Sequence, residues 1–196
     1  MPRTSFAPTA VREASRPVSL RRLEQFTGAL CFATVALLTG CLGMPEKVLP
    51  VDGFELDRYL GQWYEIARLD HSFERGLDQV TATYSLREDG GVKVVNRGFS
   101  TEKGEWREAE GKAYFVNTPT QAYLKVSFFG PFYGSYVVFE LDDEYQYAFI
   151  AGPDTDYLWL LARQPHIEPS LIAHFEQRAG ALGFDTDKLI YPRQDP

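Results

Sequence analysis

Cysteine is nearly missing from this chain of 196 residues: Cys31 and Cys41 are the two, and both precede Leu42. Nothing after that point can form a disulfide, so the body of the protein has to be held together by its own core. Histidine is almost as scarce, and His71, His166 and His174 show neither metal-ligand spacing nor a neighbouring nucleophile motif. Gly-X-Ser-X-Gly, His-Glu-X-X-His and phosphate-cradling glycine loops do not occur, so no metal, no cofactor and no familiar hydrolase or nucleotide chemistry is expected. No apolar run reaches the ~20 residues of a spanning helix. Positive charge is in deficit as well: 20 Lys and Arg stand against 27 Asp and Glu, a net of −7, which argues against a nucleic-acid partner. Asn117-Thr118-Pro119 is no glycosylation acceptor, because its third position is proline rather than serine or threonine.

What is present divides sharply at Cys41. Before it, five arginines and two glutamates give a net of +3, followed by the uncharged stretch Phe26 to Gly40. A basic flank, a short apolar core and small residues before a cut describe a secretory signal over residues 1–40; a retained amphipathic anchor is the alternative. Arg21-Arg22 raises twin-arginine export, although Leu23-Glu24 fits it poorly. Leu38-Thr39-Gly40-Cys41 resembles the lipobox of bacterial lipoproteins, which implies that Cys41 is acylated and becomes the first residue of the mature chain. Cys31 would leave with the signal. The remainder then carries −10, so attachment to a membrane has to come from the lipid and not from a basic patch. Residues 41–50, with Gly43, Pro45 and Pro50, read as a lipidated linker holding the domain off that surface. Residues 51–196 read as one domain, without repeats or a second linker.

The body alternates short strands with turns. Val80 to Leu86 and Val92 to Phe99 flank Asp89-Gly90-Gly91, a hairpin signal. Trp63 to Leu69, Lys112 to Val116, Tyr123 to Phe129, Tyr136 to Leu141, Tyr147 to Ala151 and Tyr157 to Arg163 complete about eight strands, joined by turns too short for helical crossovers. An antiparallel barrel or sandwich follows. From Pro169 to Leu182 the period changes: Leu171, Phe175, Ala179 and Leu182 recur at helical spacing with Ile172 beside them, and Gly183 stands at the end. This predicts one helix packed outside the sheet, after which Leu189 to Tyr191 forms a short final strand.

Gly61-Gln62-Trp63-Tyr64 resembles the Gly-X-Trp signature of lipocalins, Thr155-Asp156-Tyr157 resembles their Thr-Asp-Tyr turn, and Arg163 stands where their third motif has its arginine. Tyr64 to Arg68, Phe73 to Leu77, Leu124 to Phe132 and Asp156 to Trp159 extend the similarity toward the bacterial lipoproteins akin to apolipoprotein D. The resemblance implies an all-β, eight-stranded up-and-down barrel with one outer helix. Trp63 would plug one end, with the Arg163 guanidinium stacked upon it; Gly61 would permit close approach beneath, and Asp156 would accept backbone donors in its turn.

Strand alternation then proposes a cavity wall. If Trp63 faces inward, so do Glu65 and Ala67; if Arg163 faces the plug, Leu161, Trp159 and Tyr157 share its side. By the resemblance, Ala82, Tyr84, Val94, Asn96, Leu124, Val126, Phe128 and Val138 complete the inward set. Such a wall suits a chain-like lipid. Glu65 is either bonded to tyrosines or Arg163, or placed to repel a fatty-acid anion entering head first. Phe128 to Tyr133 is an aromatic segment read either as rim packing or as a contact with a membrane or a second copy. The family likeness implies a non-enzymatic binder of fatty acid or lysophospholipid, tethered to the outer membrane through Cys41, active in membrane maintenance under stress and homodimeric by analogy. A lipocalin-fold isomerase, which would use a cavity thiol that this chain lacks, and a filled barrel with only interaction duties are the alternatives.

Overall fold

The computed structural model describes residues 42–195; the signal read over residues 1–40 and the acylation site Cys41 lie outside them. Asp89-Gly90-Gly91 forms the expected turn between β2 (Leu77–Leu86) and β3 (Val92–Ser100). Gly90 takes φ +78°, a left-handed conformation that glycine adopts without strain, and Asp89 accepts hydrogen bonds from the Gly91 amide and the Tyr114 hydroxyl. Together with β1 (Gly61–Arg68), β4 (Glu105–Phe115), β5 (Tyr123–Phe129), β6 (Phe132–Leu141), β7 (Tyr147–Ala151) and β8 (Leu158–Ala162), these strands close into one antiparallel barrel in chain order, with β1 completing the circle against β8. Every connection is a hairpin or a short loop, as the turn spacing predicts.

Strand β4 is longer than its composition suggests. It begins at Glu105, seven residues before the expected Lys112, because it pairs with β3 from Val92↔Ala113 to Ser100↔Glu105. Pairing with a neighbour here overrides the weak strand preference of Glu, Arg and Ala. Phe99 meets Trp106 edge-on, and Arg97 lies 3.8 Å over the Trp106 ring. Strand β5 pairs with β4 only at Lys112 to Phe115, so the wall parts between the upper half of β4 and the β5–β6 hairpin.

Two apolar clusters lie on the two faces of the sheet. The interior one gathers Trp63, Phe54, Tyr59, Tyr84, Val94, Leu124, Val138 and Leu161. The exterior one lies beneath the second helix, α2 (Pro169–Leu182), where Phe175 and Ala179 are fully buried against Phe149 and Leu160. Both helix limits match the sequence reading, with Gly183 in the left-handed region at the end. His174 and Arg178 fasten the helix to Glu140 on β6. A first helix, α1 (Leu56–Tyr59), is a single turn that periodicity does not signal; it crosses the closed end beneath Trp63.

Both chain ends are pinned to the barrel. In place of a free spacer, the stretch expected as a linker packs down: Val48 is buried among the exterior cluster, and Val51 donates to Val138 O at 2.9 Å while accepting from Ala122 N at 2.9 Å. The final segment returns as a single bridge, Ile190 with Arg68, rather than a strand. It lies where β1 and β2 separate. Gln79 donates to Arg193 O at 2.7 Å, and the Gln194 amide donates to Glu65 O at 2.6 Å and Val80 O at 3.2 Å. The tail thereby satisfies backbone groups freed by the register shifts at Glu65/Ala67 and Asp78/Thr81.

The stopper at the closed end is built as the motif residues imply. Trp63 is fully buried, its indole donates to Tyr59 O at 2.8 Å, and Arg163 Cζ lies 3.9 Å from the ring centroid. The guanidinium donates to the carbonyls of Gln62 at 2.8 Å, Arg58 at 2.8 Å and Leu60 at 2.9 Å. Gly61 has φ +95°, and a Cβ there would stand 3.4 Å from Arg163 Nη1. Thr155-Asp156-Tyr157, by contrast, is not part of this assembly: it occupies the β7–β8 turn at the opposite end, and Asp154, not Asp156, accepts the backbone donor there. The turn beside the plug is Asp142 to Gln146, whose Tyr145 carbonyl lies 3.4 Å from Arg163 Nε. Replacing Arg163 by Ala should cost ~2–4 kcal/mol, since it frees three carbonyls and uncovers the indole. Arg163→Lys should recover less than half of that, because a point charge cannot make the forked set. Urea unfolding of both variants checks this.

Candidate functional site

Above the stopper the interior is at first solid. The hydroxyls of Tyr59 and Tyr136 meet at 2.6 Å and those of Tyr84 and Tyr136 at 2.9 Å. Burial raises the pKa of all three phenols, so they remain neutral donors and acceptors to one another. A void of about 10 Å³ lies between them and Phe54, Val92 and Leu124, room for one water at most. Leu124 and Val138, expected in the wall, face the interior but belong to this packed floor.

Over the floor a cavity of about 810 Å³ opens toward the end that carries the β1–β2, β3–β4, β5–β6 and β7–β8 connections. Glu65, Tyr157, Trp159 and Leu161, placed inward by alternation, and Ala82, Tyr84, Val94, Asn96, Val126 and Phe128, placed there by the resemblance, all line it. The structure adds Phe73, Glu74, Leu77, Val80 and Tyr136. Tyr136 has the parity of Val138 on β6 and was within reach of sequence reasoning; Phe73 and Glu74 lie in a loop, where no periodicity applies.

Ala67 is a correction. The register of β1 against β8 slips between Glu65 and Ala67, so the phase changes after Glu65. Ala67 turns outward into the cluster beneath α2, and Arg68 is buried on the inner side beside Glu65. A β-bulge of this kind has no marker in Glu65-Ile66-Ala67-Arg68 itself.

That slip also supplies the partner of Glu65. It is Arg68, whose Nη1 lies 2.5 Å from Glu65 Oε1, and neither a tyrosine nor Arg163. Arg68 Nη2 donates to Glu74 O at 2.9 Å and to Leu77 O at 3.4 Å, so the same guanidinium fastens the β1–β2 loop. The Glu74 carboxylate accepts from Trp159 Nε1 at 3.1 Å. His71 stacks between Phe73 and Tyr157, and its Nε2 is 3.5 Å from Glu74. Burial, aided by Arg68, lowers the His71 pKa to about 4, so the ring serves as a neutral aromatic plate. Two buried carboxyl groups thus lie close to one guanidinium, which bonds the Glu65 carboxylate and the Glu74 backbone carbonyl. With both ionised the cluster holds one uncompensated negative charge, and one proton neutralises it. Burial first, and then the Glu74 charge, raise Glu65 above the carboxylate range to about 8 despite the opposing pull of Arg68.

An acid whose pKa is raised by folding holds its proton more tightly in the folded chain. Its contribution to stability is therefore complete below 4.5, the ordinary value, and is lost as pH rises toward about 8. His71 acts oppositely, since its lowered pKa removes stability as pH falls from 6.5 toward about 4. Glu65→Gln retains an acceptor for Arg68 but cannot titrate. Its melting temperature should gain several degrees relative to the native chain between pH 5 and pH 8; a constant gap across that range would show that Glu65 is ionised throughout.

The comparisons with known proteins agree with this architecture. Residues 54–194 match the model of the lipocalin-like domain. Over 159 residues the chain is 67% identical to the outer membrane lipoprotein Blc of Vibrio cholerae, covering 81% of this chain and 93% of that protein. It is 55% identical to the Blc of Escherichia coli K12 over 150 residues, 76% and 85% of the two, and 32% identical to mouse apolipoprotein D over 70% and 76%. Among solved structures, insecticyanin from Manduca sexta superposes with a TM-score of 0.61 at 21% identity over 76% of this chain and 86% of that one, a likeness of fold alone. By sequence and by architecture, this chain belongs to the lipocalin family.

Proposed function

We propose that this chain is a lipid-anchored lipocalin of the bacterial outer membrane that holds a fatty acid or a lysophospholipid in its barrel and serves membrane maintenance under stress. The observation that carries the reading is the 810 Å³ cavity, closed below by Trp63 and open above, with Ala82, Val94, Val126 and Phe128 in its wall. A filled barrel with interaction duties alone does not suit that volume. No cysteine follows Cys41, so a thiol-dependent isomerase has no nucleophile in the cavity. The near relatives are named outer membrane lipoproteins, and among the described residues no helix is long and apolar enough to cross a membrane; both suit attachment through acylated Cys41. Homodimerisation rests on family analogy.

The physical case for an acyl cargo is one of area. Burying about a dozen methylenes at ~0.8 kcal/mol each gives ~10 kcal/mol gross. Micromolar affinity needs ~8 kcal/mol, so tail burial suffices when immobilisation costs only a few kcal/mol. With one proton bound, the cluster of Glu65, Glu74 and Arg68 is neutral, so it offers an anionic head group no net attraction at that depth. The tail therefore enters first and the head group stays at the mouth. Native mass spectrometry of the domain beginning after Cys41, exposed to a mixed lipid extract, should retain fatty-acid or lysophospholipid masses. Val126→Trp, which fills the middle of the cavity, should lower lysophospholipid affinity at least tenfold with the circular dichroism spectrum unchanged. A clean apo mass from the native domain, with no displacement of a fluorescent fatty acid, would remove the carrier reading.

A further inference from the structure

The first described residues lie at the rim of the cavity mouth. A Cβ on Gly43 would stand 3.4 Å from the Pro153 carbonyl, and Pro153, in the β7–β8 turn, lines the cavity. Gly43 is two residues from Cys41, a span of at most ~7 Å. There is no slack beyond it. Val48 is 1% exposed, and the Val51 hydrogen bonds to Val138 and Ala122 hold the segment along the barrel as far as the closed end. The closed end lies roughly 26 Å away, the length of an eight-residue strand.

The same rim carries the most exposed large apolar side chains of the described residues. Phe129 and Phe132 are cross-strand partners in the β5–β6 hairpin, 78% and 77% exposed, and both line the mouth. Phe73, 52% exposed, lines it from the β1–β2 loop. An aromatic cluster at the opening of an apolar cavity is expensive to leave in water. With a mature charge of −10, the force drawing this rim to a bilayer is apolar contact rather than attraction to anionic lipid.

From the position of the tether and the aromatic rim together, we propose that the barrel stands mouth-down on the membrane that holds its N-terminus, with Phe129 and Phe132 inserted among the lipids. Cargo then passes between bilayer and cavity without crossing water. The inference rests on the reading of Cys41 as acylated and adds to it the orientation of the barrel and the occupant of the aromatic rim.

Acylation of Cys41 leaves the mature chain without a free thiol, so F132C in the full lipoprotein takes a single nitrobenzoxadiazole label. D143C, in the turn at the closed end, is the control. In vesicles of phosphatidylethanolamine and phosphatidylglycerol, the label at 132 should shift to the blue and be quenched at least twofold by bilayer-embedded doxyl lipids, while the label at 143 stays in water. Equal exposure of the two labels would overturn the proposal. So would a blue shift at 132 that grows with protein concentration and ignores the doxyl lipids, which would assign the rim to a second copy of the chain. Two reactive thiols in F132C would refute the acyl anchor itself, and with it the tether. The double variant F129D/F132D should extract lysophospholipid from vesicles at least tenfold more slowly than any change in its affinity measured in solution accounts for. Unchanged extraction would overturn the proposal, whereas failure of the native chain to bind lipid in solution would refute the carrier reading and leave the quenching result to judge orientation.

Discussion

The contact on which the rest depends is the Arg163 guanidinium lying on the Trp63 indole. An eight-stranded barrel with a hollow upper half forfeits much of the packing a filled core would give, so its lower half has to be unusually well determined. Arg163 does this by joining separate parts of the chain. It extends β8, stacks on the first strand's tryptophan, and gathers carbonyls from α1 and the start of β1. The closure of β1 against β8, the seat of α1 and the floor of the cavity are thus one assembly. The tyrosine trio above it extends the assembly with neutral hydroxyls, which bond to one another and leave no charge for a lipid tail to meet at the bottom.

The upper half is governed by a different constraint, the slip in β1 after Glu65. It turns Arg68 inward, and above Tyr64 β1 also parts from β2; both need compensation. The C-terminal tail fills the opening with Ile190, Arg193 and Gln194. The buried guanidinium gathers Glu65 and the Glu74 carbonyl, which ties down the β1–β2 loop. A buried ion pair is a poor source of stability, because desolvation cancels most of the Coulomb gain. Its value here is positional: one side chain sets where the loop carrying His71, Phe73 and Glu74 can lie. The surplus carboxylate is then relieved by a proton rather than by a second cation, and this couples the wall to pH in the neutral range.

How much of this was legible in the sequence varies with the physical origin of each feature. The strands of period two and the helix of period 3.6 announce themselves, and β5, β7 and α2 have the expected limits. Trp63, Gly61 and Arg163 carry a function of stacking and close approach that leaves little choice of residue type, and they were readable through the resemblance to the lipocalin motifs. Thr155-Asp156-Tyr157 had the right letters in the wrong place: a three-residue turn motif is short enough to recur, and only topology shows that its end of the barrel is the mouth. Ala67 failed because alternation assumes an unbroken strand. The upper half of β4 failed because its strand character comes from β3 rather than from its own residues. Glu74 and Phe73 were out of reach, since a loop residue's address is set by what anchors the loop, here Arg68.

The two halves, taken together, explain why the fold can serve a cargo of loose chemical definition. Selectivity by head group would require fixed polar partners deep in the cavity, and the deep groups are either mutually satisfied phenols or apolar side chains. What the structure does specify is direction. The floor is closed and uncharged, the acid cluster at mid-depth holds no surplus positive charge, and the mouth is aromatic and stands beside the chain's point of attachment. Each feature favours an acyl chain running toward the floor with its polar end at the rim, which in a mouth-down barrel is the reverse of a lipid's orientation in the leaflet beneath. A lipid moving from leaflet to cavity therefore has to turn over, and one drawn in past Phe129 and Phe132, with its tail doubling back into the cavity, does so without exposing its methylenes to water. The apolar rim is therefore a requirement of the loading path as much as a consequence of the fold.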